Sequence, residues 1–338
     1  MNGILAIVVA VLVLGACGTW QAGPAVAGAS VAAGTGAVRT DDSDPPALIP
    51  AGVQTVIDVD MAAVRGSKWA APLIDAADPR ARSAQVDALG YDDVADVDRI
   101  VYAVTAAGAD APTLVIAQGR FQMARVEDAF RARWPAAVVD RWRGIPVLTS
   151  GENAWAGLTP RTFVSGAPAA VRATIDRAFG VGADIEADAA LGPVRRALRS
   201  EGGAARPAML AMVVVSDAVR ARAGDFVPLP RELRQVGVRV DLGQALGLQA
   251  LGFLEDREAA AALGRRLSAL LGDPATRLGL RALGLGALLA ETRVTVEGAR
   301  VRVRAAVPDE QRAELTAAVS ALIKAVGGGT GASGLRSW

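Results

Sequence analysis

The most regular chemical pattern in the chain lies between positions 293 and 304. Arg293, Thr295, Arg300, Arg302 and Arg304 alternate there with Val294, Val296, Val301 and Val303. Successive side chains of a strand point to opposite faces, so this period puts the arginines on one face and the valines on the other. Such an array is a candidate anion-binding face, for lipid phosphates or an acidic partner. The expectation, however, is an ordinary solvated face whose charges keep the sheet from aggregating. A second cluster is Asp92, Asp93, Asp96 and Asp98, just before Arg99. Carboxylates at alternate positions suit calcium, but a helix-loop-helix calcium site also needs a central Gly and a bidentate Glu, which do not follow here. A hydrated acidic loop beside Arg99 is the expectation.

Histidine is absent from all 338 residues. This removes the commonest general base and the commonest transition-metal ligand together. Ser150 and Ser165 stand beside glycines without a G-x-S-x-G elbow, and neither Lys68 nor Lys324 lies in a Ser-x-x-Lys pattern. Gly279, Gly284 and Gly286 lack the Lys-Ser/Thr pair of a phosphate loop and read as packing or turn residues. Paired carboxylates brought together by the fold remain a route to acid/base hydrolysis. Sugar sites usually offer aromatic platforms, however, and aromatic residues are 4% of this chain. The reading is of no enzyme, no metal centre and no cofactor in the body.

Charge is balanced, with 36 Lys and Arg against 35 Asp and Glu, so no global field draws nucleic acid. With a single cysteine, Cys17, the body forms no internal disulfide and its stability comes from packing.

The elements that must position these residues follow from hydrophobic period. Val53 to Val59, Ile100 to Thr105 and Thr113 to Gln118 read as strands, the last two as a hairpin. Met123, Val126, Phe130 and Trp134 form a helical stripe. Gly144 to Leu148, Asn153 to Leu158 and Thr162 to Ser165 are short strands, and Pro168 opens a helix carrying Val171, Ile175 and Phe179. Further strands are expected at Met209 to Val215, Val236 to Leu242 and Leu248 to Leu254, then a helix from Asp256. A hairpin around Glu297-Gly298 and a closing helix from Pro308 to Ala325 complete the body. Asp60 and Asp217, each just after a strand, are expected N-caps of short helices.

The order of elements nearly repeats, which predicts two tandem similar α+β halves at 48–186 and 187–326. Hairpin connections imply mainly antiparallel sheets with helices packed on one face. Residues 18–47 are rich in Gly, Ala, Ser and Thr and end in Asp41-Asp42-Ser43-Asp44-Pro45-Pro46; together with Cys17 they read as a linker. Residues 327–338 read as a Gly-rich tail.

Cys17 ends the tetrad Leu14-Gly15-Ala16-Cys17, directly after the apolar run Ile4 to Val13. That run is too short to span a bilayer, which takes about 20 residues, and suits a cleaved signal peptide at 1–16. The tetrad resembles the lipobox of bacterial lipoproteins. The resemblance implies cleavage before Cys17, a diacylglycerol on its sulfur and an acyl chain such as palmitate, and hence a membrane anchor in the cell envelope. Gly18, where a retention aspartate would stand, leans toward the outer membrane, facing the periplasm or the cell surface. The n-region Met1-Asn2-Gly3 departs from the pattern in lacking Lys and Arg. The expected function is a non-enzymatic, lipid-anchored envelope protein that binds an envelope partner or a ligand. Alternatives are a carrier of lipid or another apolar ligand, in keeping with 52% hydrophobic residues, and a hydrolase using paired carboxylates.

Overall fold

In this computed structural model the described residues are 44–318, apart from 76–78, 106–112, 201–205, 225–228, 283–285, 287 and 289–290. The chain divides into two compact units. Among the described residues, one holds 44–65 together with 76–193; the other holds 66–75 and 194–318.

In the first unit a 3₁₀ turn, Pro45–Leu48, precedes β1 (Thr55–Asp60), α1 (Met61–Arg65), α2 (Pro79–Leu89) and the hairpin of β2 (Val97–Val104) and β3 (Thr113–Gly119). After α3 (Met123–Arg133) come β4 (Val138–Trp142), β5 (Ile145–Ser150), β6 (Asn153–Thr159), β7 (Thr162–Gly166) and α4 (Pro168–Ala178). The strands lie in the order β1-β2-β3-β7-β6-β5-β4, every pair antiparallel. Alternation along β3 shows how the sheet is covered. Ala117 shares a core with Val126 and Phe130 of α3 and with Phe163 and Trp155. Leu114 and Ile116 point the other way and are also buried, on the side where α4 meets β3, β6 and β7. Helices therefore line both faces of this antiparallel sheet, a second layer beyond the single one that hairpins imply. Each large apolar side chain so buried is worth about 1.5–3 kcal/mol relative to exposure.

Strand β4 is absent from the sequence reading because its side chains are mostly exposed and follow no period. It turns into β5 through Arg143 (φ 49°) and Gly144 (φ 81°), the left-handed pair that a two-residue hairpin requires. Arginine is disfavoured in that conformation. Asp176 of α4 holds it there, accepting from Arg143 Nε and, at 2.9 Å, from Trp142 Nε1.

The second unit contains α5 (Leu191–Ser200, from Val194), β8 (Met209–Val214), α6 (Asp217–Gly224), β9 (Leu233–Leu242), β10 (Leu246–Leu254), α7 (Arg257–Gly272), α8 (Pro274–Ala282), β11 (Arg293–Glu297) and β12 (Arg300–Val307). Asp256 caps α7, its Oδ1 accepting from the Ala259 N–H at 2.8 Å. A 3₁₀ turn, Asp309–Gln311, then leads into helical residues 312–318. Leu315 buries there against Trp69, Leu280 and Val307; Leu322, Ile323 and Lys324 lie outside the described residues.

The strand order is β11-β12-β10-β9-β8, again antiparallel throughout. With the β4–β5 hairpin set aside, the first unit's order β1-β2-β3-β7-β6 matches β8-β9-β10-β12-β11 strand for strand. A long helix, α3 or α7, follows the third strand in each. The repeat predicted from element order is thus present in sheet topology, with the β4–β5 hairpin found only in the first unit. The expected twin aspartate caps are one aspartate and one serine. Asp60 Oδ1 accepts from Ala63 N–H at 2.8 Å, but Ser216 Oγ, not Asp217, takes the Val219 N–H, because Asp217 already lies inside α6.

Two glycines set the helix spacing of this second sheet. A Cβ on Gly237 would sit 2.6 Å from Val194 Cγ1, and one on Gly264 would sit 2.4 Å from Val296 Cγ2. Gly237 pairs with Leu251, which pairs with Arg302, whereas Val296 pairs with Val301. Directly paired residues share a face, so α5 lies on the arginine side and α7 on the valine side.

Candidate functional site

The register of the last hairpin places every arginine of the sequence pattern on one face. Arg293 stands directly opposite Arg304, Thr295 opposite Arg302, and Glu297 opposite Arg300. On the next strand Arg304, Arg302 and Arg300 face Gln249, Leu251 and Phe253. Gly298 (φ 59°) makes the tight turn that fixes this register.

Arg293, Arg300 and Arg304 are exposed. Arg302 is not the freely solvated side chain expected from the sequence. It is 17% exposed and holds Glu297 in a two-pronged pair, Nη1 to Oε1 at 2.8 Å and Nη2 to Oε2 at 3.1 Å. Glu297 thus serves its diagonal neighbour, and the Arg300 guanidinium lies 5.9 Å above the Phe253 ring instead. Beside the hairpin turn an open depression is lined by Arg234, Phe253, Glu255, Glu297 and Arg300. Both of its carboxylates are committed to arginines, Glu255 to Arg234 at 3.0 Å and Glu297 to Arg302.

The aspartate loop is a piece of backbone carpentry. Asp92 Oδ1 accepts from the Val94 and Ala95 N–H groups, and its Oδ2 from Arg82 Nε at 2.9 Å. Burial pushes the Asp92 carboxyl up, but these donors outweigh it and hold it below the usual range. Asp96 accepts from the Asp92 N–H, Asp93 from Gln85, and Asp98 from Arg65 and Arg161. Among the described residues no group of three or more acidic, Cys or His side chains is arranged to hold a metal ion.

Ser165 Oγ donates to the Ala154 carbonyl. Lys68 pairs with Asp309 at 2.6 Å, and its hydrogen bond holds that carboxyl below the usual range. Gly279 lies within α8, and Gly284 is outside the described residues. Trp134 packs against Phe130 at 4.3 Å between ring centroids. Cys17 and the tetrad that resembles a lipobox lie outside the described residues, and among the described residues no helix is long and apolar enough to cross a membrane.

Sequence reasoning missed the buried arginines. Arg99 reaches Asp58 with Nε at 2.7 Å and Nη2 at 2.6 Å, and also holds Asp44. Burial would lower its pKa; the hydrogen bond to Asp58 outweighs that and raises it. Arg239 grips Asp241 through Nε and Nη2, both at 2.8 Å, and donates from Nη1 to the Leu198 carbonyl at 3.0 Å, tying α5 to β9. The spacing Arg239-Val240-Asp241 was a readable signal, since alternate residues of a strand share a face.

No protein-family model matches the chain, and no curated protein matches it. Among solved structures it is similar to TP0453. Crystal form III is 12% identical, with 83% of this chain and 100% of that one covered and a TM-score of 0.49. Crystal form I is likewise 12% identical, with coverage of 82% and 98% and a TM-score of 0.46. Likeness of this degree says nothing of ligand or activity.

Proposed function

We propose that the chain is a non-enzymatic lipoprotein of the cell envelope, anchored through an acylated Cys17 and binding an envelope partner or ligand through its α+β body. The observation that carries this reading is the tetrad Leu14-Gly15-Ala16-Cys17 at the end of a 13-residue span, Ile4 to Ala16, of apolar and small residues. Gly18 favours the outer membrane, with the body facing the periplasm or the cell surface. In the open depression beside the last hairpin, Glu255 and Glu297 are each paired with an arginine, which suits a polar binding surface there.

Membrane fractionation of the Cys17→Ser variant tests the reading. The wild-type protein is expected in the membrane fraction and the variant in the soluble fraction, with an unchanged circular dichroism spectrum. A variant that sediments fully with membranes at high salt would place the anchor in the apolar leader or the body instead.

A further inference from the structure

We infer that the outer edge of β11 is a self-association surface, where β11 pairs antiparallel with β11 of a second copy and continues the sheet across a twofold axis. The inference goes beyond the lipid-anchor reading and does not depend on it.

Strand β11 ends the strand order, and among the described residues no strand lies on its outer side. The main chain shows which residues face that side. Leu254 N–H donates to the Ala299 carbonyl at 2.9 Å, one position beyond the opposed residues Phe253 and Arg300. Arg300 therefore turns its own N–H and carbonyl toward β11, where Glu297 stands opposite. The side to which these groups point alternates along a strand. Arg293, Thr295 and Glu297 thus bond inward to β12, while Val294 and Val296 aim their N–H and carbonyl groups out of the sheet. The Val296 side chain is also 40% exposed, and a second strand would cover it.

Charges normally guard such an edge by repelling a further strand. Those of β11 do the reverse. The strand reads Arg293-Val294-Thr295-Val296-Glu297, with opposite charges equally far from Thr295. Antiparallel pairing centred on Thr295 sets Arg293 of each copy against Glu297 of the other, Val294 against Val296, and Thr295 against its counterpart. The same register joins the outward groups, since Val294 and Val296 exchange N–H···O bonds across the seam. Opposite-charge, Thr–Thr and β-branched pairs all favour strand association. The half-exposed Glu297 carboxylate keeps lone pairs for a second guanidinium beside Arg302. A surface of this kind is isologous, so pairing stops at two copies.

Edge strand β4 has no such match. Its Arg141 N–H is already taken by Asp140 Oδ1 at 2.7 Å, and pairing centred on Asp140 would set like charges together.

The test uses the full chain in detergent with Cys17→Ser, which removes the single native thiol. Sedimentation equilibrium is expected to show a concentration-dependent dimer and nothing larger. Val294→Pro deletes an outward N–H that β12 does not use, and edge strands tolerate proline in that orientation. It should leave the circular dichroism spectrum unchanged and give monomer. Arg293→Glu turns both opposite-charge pairs into like-charge pairs and should weaken the dimer about tenfold. Thr295→Cys sets two thiols face to face, with Cα atoms about 4.5 Å apart and within disulfide reach. Mild oxidation should link it into a covalent dimer, whereas Ser83→Cys, exposed on α2, should not cross-link.

A monomer at every concentration would overturn the proposal. So would a dimer that survives Val294→Pro, or one that oxidation links no better through Thr295→Cys than through Ser83→Cys. Position 17 is serine throughout, so none of these outcomes bears on the acylation of Cys17.

Discussion

Arg220 donates from Nη2 to the carbonyl oxygen of Leu233, the first residue of β9, at 2.6 Å. Arg65 does the same for Val97, the first residue of β2, from the corresponding short helix of the other unit. In both units an arginine after the first strand fixes where the second strand begins. Arg65 adds a bond to the Val94 carbonyl, and Arg220 one to that of Pro230. Charge-assisted bonds of this kind contribute more than neutral ones, and their loss strands the carbonyls they served.

Arg220→Gln and Arg65→Gln are each expected to lower the unfolding free energy by about 2–3 kcal/mol in urea titrations. A loss below about 0.5 kcal/mol would mean that water replaces the guanidinium at the strand start.

The buried pair of Arg99 with Asp58 makes a stronger prediction. Asp58 is 5% exposed, so Asp58→Ala leaves a cation without its main partner in low dielectric. The expected cost is about 3–5 kcal/mol, read from the denaturation midpoint. Replacing both residues with apolar side chains of similar volume should recover most of that loss, since the pair's desolvation penalty disappears with it. A double variant as unstable as the single one would contradict this account of the pair.

Gly237→Ala places a methyl group against Val194 and Leu198. It should cost about 1–3 kcal/mol through overpacking, and Gly237→Ala combined with Leu198→Ala should cost less than the two changes summed. Strict additivity would show that α5 does not rest on this glycine.

The order of elements and their antiparallel pairing were legible, though the strand order was not, because both hairpins and both long helices carry clear periods. The alternation at Val301 and Val303 and the stripe of Val126 and Phe130 survive intact in the structure. Strand β4 and helix α2 were not legible. β4 is almost wholly exposed, and α2 (Pro79–Leu89) is polar apart from alanines, Val86 and Leu89, so neither leaves a hydrophobic signature. The arginine face was visible as a pattern, but its inner pairing was not. That Glu297 turns to Arg302 and not to Arg300 depends on the diagonal reach of two long side chains, which spacing alone does not fix.

Acid should act partly through Asp92. Its folded pKa lies below the ordinary carboxylate value of about 3.9. A group of this kind adds stability above its unfolded pKa and loses it as pH falls through the folded value. The stability gap between wild type and Asp92→Ala should therefore be full at neutral pH, begin to close near pH 4 and be smallest at the acid end. A gap independent of pH would show that the carboxylate's charge contributes nothing and only its shape matters.

The central claim is the lipid anchor at Cys17, and mass spectrometry of the N-terminal peptide from membrane-purified protein tests it most directly. The account predicts a mature chain that begins at Cys17 and carries a thioether-linked diacylglycerol and an amide-linked acyl chain. An N-terminal peptide that retains residues 1–16, or a mature chain with a free Cys17 thiol, would contradict it.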